Sequence, residues 1–163
     1  MAQQAVKQLH EACKGGQVAT IRQLLDGGVP VDALGVNGWT PLHTAIQNEQ
    51  REAVELLLDR GANIEAVYEG ITPLLRAIWN AESEDIAGLL LDRGASAHAV
   101  NEDIGYTALH NGADAGFLIL MGRLIDMGLS VDVRSNNGST PLISAACSDK
   151  KEALVLLLGR GKL

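Results

Sequence analysis

Aromatic side chains are scarce in this chain of 163 residues, which holds two Trp, two Tyr and one Phe. A core with so few rings must be built from Leu, Ile, Val and Ala, so an aromatic that falls off the core pattern needs another reason to be there. Cysteine is rarer still, only Cys13 and Cys147, and no Cys/His cluster has the spacing of a metal site. Apolar residues make up 47% of the chain but never run long enough to span a bilayer. Residues 1–12 hold no signal-peptide apolar stretch either, so neither a membrane span nor a leader is expected, and a cytoplasmic setting is, with the nucleus left open. Basic residues are outnumbered, 13 against 20, for a net charge of −7. No basic stripe of the kind that binds nucleic acid is present. Phosphate loops and paired catalytic carboxylates are missing too. Cys13 sits three residues from His10, without the orienting third group or oxyanion donors of a nucleophilic site. The composition points away from an enzyme, and no cofactor or metal is expected.

What the chain does have is period. Gly28, Gly61, Gly94, Gly128 and Gly161 each follow a leucine-rich segment, at intervals of 33 or 34 residues. A second series, Leu9, Leu42, Leu74, Leu109 and Leu142, keeps the same beat and is followed three residues later by Ala12, Ala45, Ala77, Gly112 and Ala145. A period of that size is one supersecondary unit repeated in a row. Around the last four leucines stand Thr40-Pro41-Leu42-His43, Thr72-Pro73-Leu74-Leu75, Thr107-Ala108-Leu109-His110 and Thr140-Pro141-Leu142-Ile143. Thr suits an N-cap and Pro the first helical position, whose N–H has no partner anyway. The small residue lets two helices approach closely, and the Gly can take the left-handed conformation that stops a helix. The spacing therefore predicts first helices near 5–14, 41–48, 73–81, 108–115 and 141–148. Second helices are predicted near 17–26, 51–60, 83–93, 117–127 and 151–159. Asn37-Gly38, Glu69-Gly70, Ile104-Gly105 and Asn137-Gly138 mark hairpin-type turns between units. One extra residue falls near Ala81 to Ser83 and another before Tyr106.

These motifs resemble the ankyrin-repeat family, with its T-P-L-H-x-A signature. The resemblance implies an all-α solenoid of five helix-turn-helix repeats joined by short β-hairpin fingers, one domain over 1–163. The repeats run approximately 3–35, 36–67, 68–101, 102–135 and 136–163. His10, His43 and His110 share one place in their repeats, which in this family links neighbouring repeats by hydrogen bonds. His98, alone in a connector, reads as solvated. Cys13 and Cys147, on corresponding helices of repeats one and five, read as buried or half-buried thiols and not a redox pair. The family's usual activity is binding another protein, so partner, not substrate, is the expectation.

In that pattern the partner-facing positions are the finger tip, the residue between Gly and Thr, and the two residues after the small pair of the first helix. Here they are Val36, Asn37, Trp39, Gln47 and Asn48 in repeat two, and Tyr68, Glu69, Ile71, Trp79 and Asn80 in repeat three. Repeat four supplies Asp103, Ile104, Tyr106, Asp114 and Ala115, and repeat five Asn136, Asn137, Ser139, Cys147 and Ser148. Four of the five aromatics, Trp39, Tyr68, Trp79 and Tyr106, fall on this set. They suit interface anchors; the competing reading is that they pack on adjacent fingers. The candidate partner-binding set is thus Trp39, Tyr68, Glu69, Ile71, Trp79, Asn80, Asp103, Ile104, Tyr106 and Asp114. The middle of the chain, residues 34–133, is acidic, which serves solubility or favours a partner with a basic segment. A different class of function stays open, a cage in which Trp39, Trp79 and Glu69 hold a cationic ligand or modified lysine.

The ends differ. Repeat one opens on polar Gln3, Gln4, Lys7 and Glu11, as a capping unit would. Repeat five keeps the Thr-Pro-Leu start, and its Leu154, Val155 and Leu156 have no obvious cover. Further sequence, a partner or self-association through repeat five would cover them, which gives a structural-scaffold alternative. The nearby Lys150, Lys151, Arg160 and Lys162 read as solvated or as contacts to an acidic surface. In repeat four, Phe117 and Ile119 occupy usually polar places and predict an apolar spot on the back of the array. Gly112, Gly116 and Gly122 mark the same repeat as the softest.

Overall fold

The computed structural model describes residues 2–80 and 84–161, for Asn80 the backbone only. Among the described residues ten helices follow one another: α1 (Ala2–Lys14), α2 (Val18–Asp26), α3 (Pro41–Gln47), α4 (Arg51–Asp59), α5 (Pro73–Asn80), α6 (Asp85–Asp92), α7 (Ala108–Ala115), α8 (Leu118–Asp126), α9 (Pro141–Cys147) and α10 (Lys151–Arg160). Each lies where the leucine and glycine series place it, to within one turn. The extra residue expected near Ala81 to Ser83 lies outside the described residues.

Threonine sets the start of the first helix in repeats two to five. Thr40 Oγ1 accepts from the His43 N–H at 3.3 Å and Thr107 Oγ1 from the His110 N–H at 3.5 Å. In both, the imidazole Nδ1 accepts in return from the threonine N–H, at 3.4 and 3.2 Å. Histidine thus closes a capping box usually closed by Glu or Gln. Thr72 and Thr140 cap in the simpler way, accepting from the Leu75 and Ile143 N–H at 3.4 Å. The stops are equally local. Ala62 N–H reaches the Leu57 carbonyl and Gly61 N–H the Leu58 carbonyl, both at 3.0 Å, with Gly61 at φ 82°. This is a Schellman closure, repeated after α2, α6 and α8. Gly161 departs from the series: it is extended, φ −67°, and closes on Leu157 instead.

Residues 1–68 and 69–163 form two compact units. In the first, α1 packs on α3 and α2 on α4, around fully buried Leu9, Ile21, Leu42 and Leu57. In the second, α7 lies between α5 and α9, and α8 meets α10, around Leu74, Ile78, Leu90, Leu109, Leu120 and Leu124. The small residues Ala12, Ala45, Ala77 and Ala145 are buried at these helix contacts. Two of the shared histidines, His10 and His110, link repeats: His10 Nδ1 bonds the Thr44 hydroxyl at 2.8 Å and its Nε2 donates to the Ala33 carbonyl at 2.9 Å. His110 Nε2 donates to the Ser139 carbonyl at 3.0 Å.

The fingers are short, and among the described residues no strand forms beyond isolated bridges such as Val100 to Thr107. The first closes with Gly35 N–H on the Trp39 carbonyl at 2.8 Å, and the last with Ser135 N–H on the Ser139 carbonyl at 2.9 Å. Between them, the Asn101 N–H closes on the Tyr106 carbonyl at 2.8 Å, one residue longer. The extra residue before Tyr106 is absorbed here. Asn101 is buried, and its Oδ1 accepts from the Asp103 and Ile104 N–H groups at 3.0 and 3.1 Å, which holds the tip. Gly105 must be glycine: its φ is 74° and an added Cβ would come within 2.7 Å of the Asn136 nitrogen.

Candidate protein-binding site

One helical position decides which way an inner-face side chain turns. Residues four after each periodic leucine, Cys13, Ile46, Ile78 and Ala113, are buried in the first four repeats. Residues five after it, Lys14, Gln47, Trp79, Asp114 and Cys147, are turned about 100° further and are exposed, Gln47 half so. The expectation for the second cysteine is corrected on this ground. Cys147 is exposed while Cys13 is buried, and burial pushes the Cys13 thiol up to about 12.

In the second unit this geometry assembles a groove. Trp79 at the end of α5, Ile104 and Tyr106 of the finger, and Asp114 on α7 line one cavity of about 470 Å³. Trp79 is 54% exposed. Tyr106 is half-buried and stacks on His110, ring centroids 4.9 Å apart at 20°. Burial lowers the His110 pKa, and the bond to the Ser139 carbonyl opposes that in part, so the stacked imidazole is the neutral form at neutral pH. Asp114 accepts from the Ser148 hydroxyl.

The same groove contains residues that the motif register does not single out: Ile78, Asn111, Phe117 and Lys150. Phe117 is half-buried, so only Ile119, 72% exposed, fits the apolar spot expected of that pair. A signal for these residues exists. Gln17, Gln50, Phe117 and Lys150 all immediately precede a second helix, and Lys150 lays its stem over Gly116, in the turn of the preceding repeat. The position thus serves the inner face and not the back.

The remaining expected residues lie elsewhere. Glu69 is exposed in the left-handed region at φ 50°, Ile71 is half-buried, and Asp103 is exposed; none lines the groove. The Asn80 side chain lies outside the described residues. In the first unit, Trp39 and Tyr68 are both half-buried and meet edge to face at 6.0 Å, and Tyr68 also meets His43 at 6.4 Å. Packing on neighbouring fingers is real for this pair. Trp39 borders a separate hollow of about 990 Å³ between α1, α3 and the finger, beside Leu34 and Val36. Leu34, Val67 and Val100 occupy one register in three fingers and are 65%, 64% and 42% exposed, an aliphatic series that aromatic scarcity does not reveal. The cage residues are divided, Trp39 in the first unit and Glu69 with Trp79 in the second.

Paired helices of 33–34-residue period, with capped starts, glycine stops and side chains displayed on finger and inner helix, define a helical repeat protein. The family model for ankyrin repeats (3 copies) matches residues 9–101 and 74–162, and the chain belongs to the ankyrin-repeat family. Proteins of this family are generally protein–protein interaction modules and typically not enzymes. No curated protein matches the chain. Among the described residues no helix is long and apolar enough to cross a membrane.

Proposed function

We propose that this chain binds a partner protein in the groove of repeats three and four, with Trp79 as the anchor and Tyr106, Ile104 and Asp114 around it. The observation that supports this most is the exposure of Trp79 beside a finger lengthened by one residue at its tip. Folding gains little from leaving a large apolar ring in water, whereas Trp and Tyr in a partly formed pocket are the usual centres of interface energy. The two unpaired thiols fit a reducing compartment, the cytoplasm or the nucleus. The test is calorimetry with a protein captured on the chain. Trp79→Ala should weaken binding by about 2 kcal/mol or more, and Ile119→Ala, on exposed outer surface, should leave it unchanged. Equal affinity of wild type and Trp79→Ala would overturn the assignment.

A further inference from the structure

The position two residues after each periodic leucine, the variable place in T-P-L-H-x-A, is polar in every repeat that carries the threonine start: Thr44, Arg76, Asn111 and Ser144. It stands between Leu75 and Ala77 in α5 and between Ile143 and Ala145 in α9, so the polarity is not a requirement of the helix. In the second unit Arg76, Asn111 and Ser144 stand on α5, α7 and α9 and line up as guanidinium, amide and hydroxyl. Asn111 is only 8% exposed, and among the described residues its Nδ2 has no acceptor. A buried donor without an acceptor is costly, and this one belongs to a residue that lines the groove.

The second observation concerns charge. Lys150 also lines the groove, half-buried, and among the described residues its ammonium enters no ion pair. The groove's carboxylate, Asp114, is already bonded to Ser148. A buried donor and an unpaired cation thus share one cavity with the rings of Trp79, Tyr106 and Phe117. The chemistry in short supply there is an anionic acceptor attached to something apolar.

We infer that the groove reads an acidic side chain flanked by a bulky apolar residue in a linear segment of the partner protein. The apolar residue lies against Trp79 and Phe117, and the carboxylate takes the Asn111 amide and the Lys150 ammonium. Asp114 repels a second acid and so sets the direction of the segment. This rests on the groove being the partner site. It also runs against the basic partner segment that the acid-rich middle of the chain suggests, because recognition follows the charges in the groove and not the net charge around it.

A random peptide library selected on the full chain provides the probe, with affinities read by calorimetry. Selected peptides should carry Asp or Glu beside Leu, Phe, Tyr or Trp. Replacing that acid by its amide should weaken binding about tenfold, as should Lys150→Glu, with circular dichroism confirming that it folds. Asn111→Asp should act in the same direction, with circular dichroism confirming that it folds. Selection of basic peptides, or equal binding of acid and amide peptides with Lys150→Glu silent while Trp79→Ala still weakens, would overturn the acidic preference and leave the groove as the site. No selected peptide, or peptides insensitive to Trp79→Ala, would remove the groove itself.

Discussion

Cys13 and Cys147 show how finely single positions are specified. Both are thiols on first helices, yet Cys13, four residues past its leucine, is buried and Cys147, five past its own, is exposed. With its pKa pushed to about 12 by burial, Cys13 carries almost no thiolate at neutral pH and is sterically closed as well. Titration with a chromogenic disulfide reagent at pH 8 should therefore find one reactive thiol in the native chain, lost in Cys147→Ser, and a second on denaturation. Two rapidly reacting native thiols would mean that the first repeat opens on the timescale of the assay.

At the scale of the element, the helices were legible because their start and stop signals are local. Thr-Pro and the αL glycine act within a few residues of the boundary they set, so periodicity alone placed all ten. The inter-helix turns follow the same logic with less help from composition. Gly16 and Gly116 take positive φ there, and Glu49 and Asp149 do so at 54° and 50° without being glycine. The candidate site was legible only in part. Trp79, Ile104, Tyr106 and Asp114 sit on family positions, but whether Phe117 and Lys150 serve the back or the groove depends on the neighbouring repeat, a contact with no local signature. The glycines of repeat four also have different meanings. Gly116 ends α7 in the left-handed region and is needed there. Gly122 lies inside α8 with nothing within 4 Å of an added Cβ, whereas a Cβ on Gly112 would meet Met121 Cγ at 3.3 Å. Gly122→Ala should stabilise the chain by about 0.5–1 kcal/mol in urea unfolding, and Gly112→Ala should gain less or lose stability. Equal gains from both would show that the α7–α8 contact is loose.

For the molecule as a whole, stability in a repeat array is carried by contacts between neighbours. Inside the two units these contacts are apolar, with a recurring ion pair at the rim: Asp26 with Arg60 at 2.8 Å, Asp92 with Arg123 at 2.6 Å and Asp126 with Arg160 at 2.8 Å. Exposed as they are, each adds at most about 1 kcal/mol, so the buried leucines and alanines dominate. At repeat five the apolar layer is open to solvent, with Ile143, Val155 and Leu158 at 45%, 72% and 60% exposure. Hollows occur in both units, but among the described residues the buried unpaired amide of Asn111 lies in the second. That concentrates the expected binding energy in repeats three and four. The most direct measurement is hydrogen exchange on the free chain and on its complex with a captured partner. The account predicts added protection at the 101–106 finger and along α7, with α8 and α10 unchanged. Protection confined to α8 and α10, with the finger exchanging as in the free chain, would contradict it.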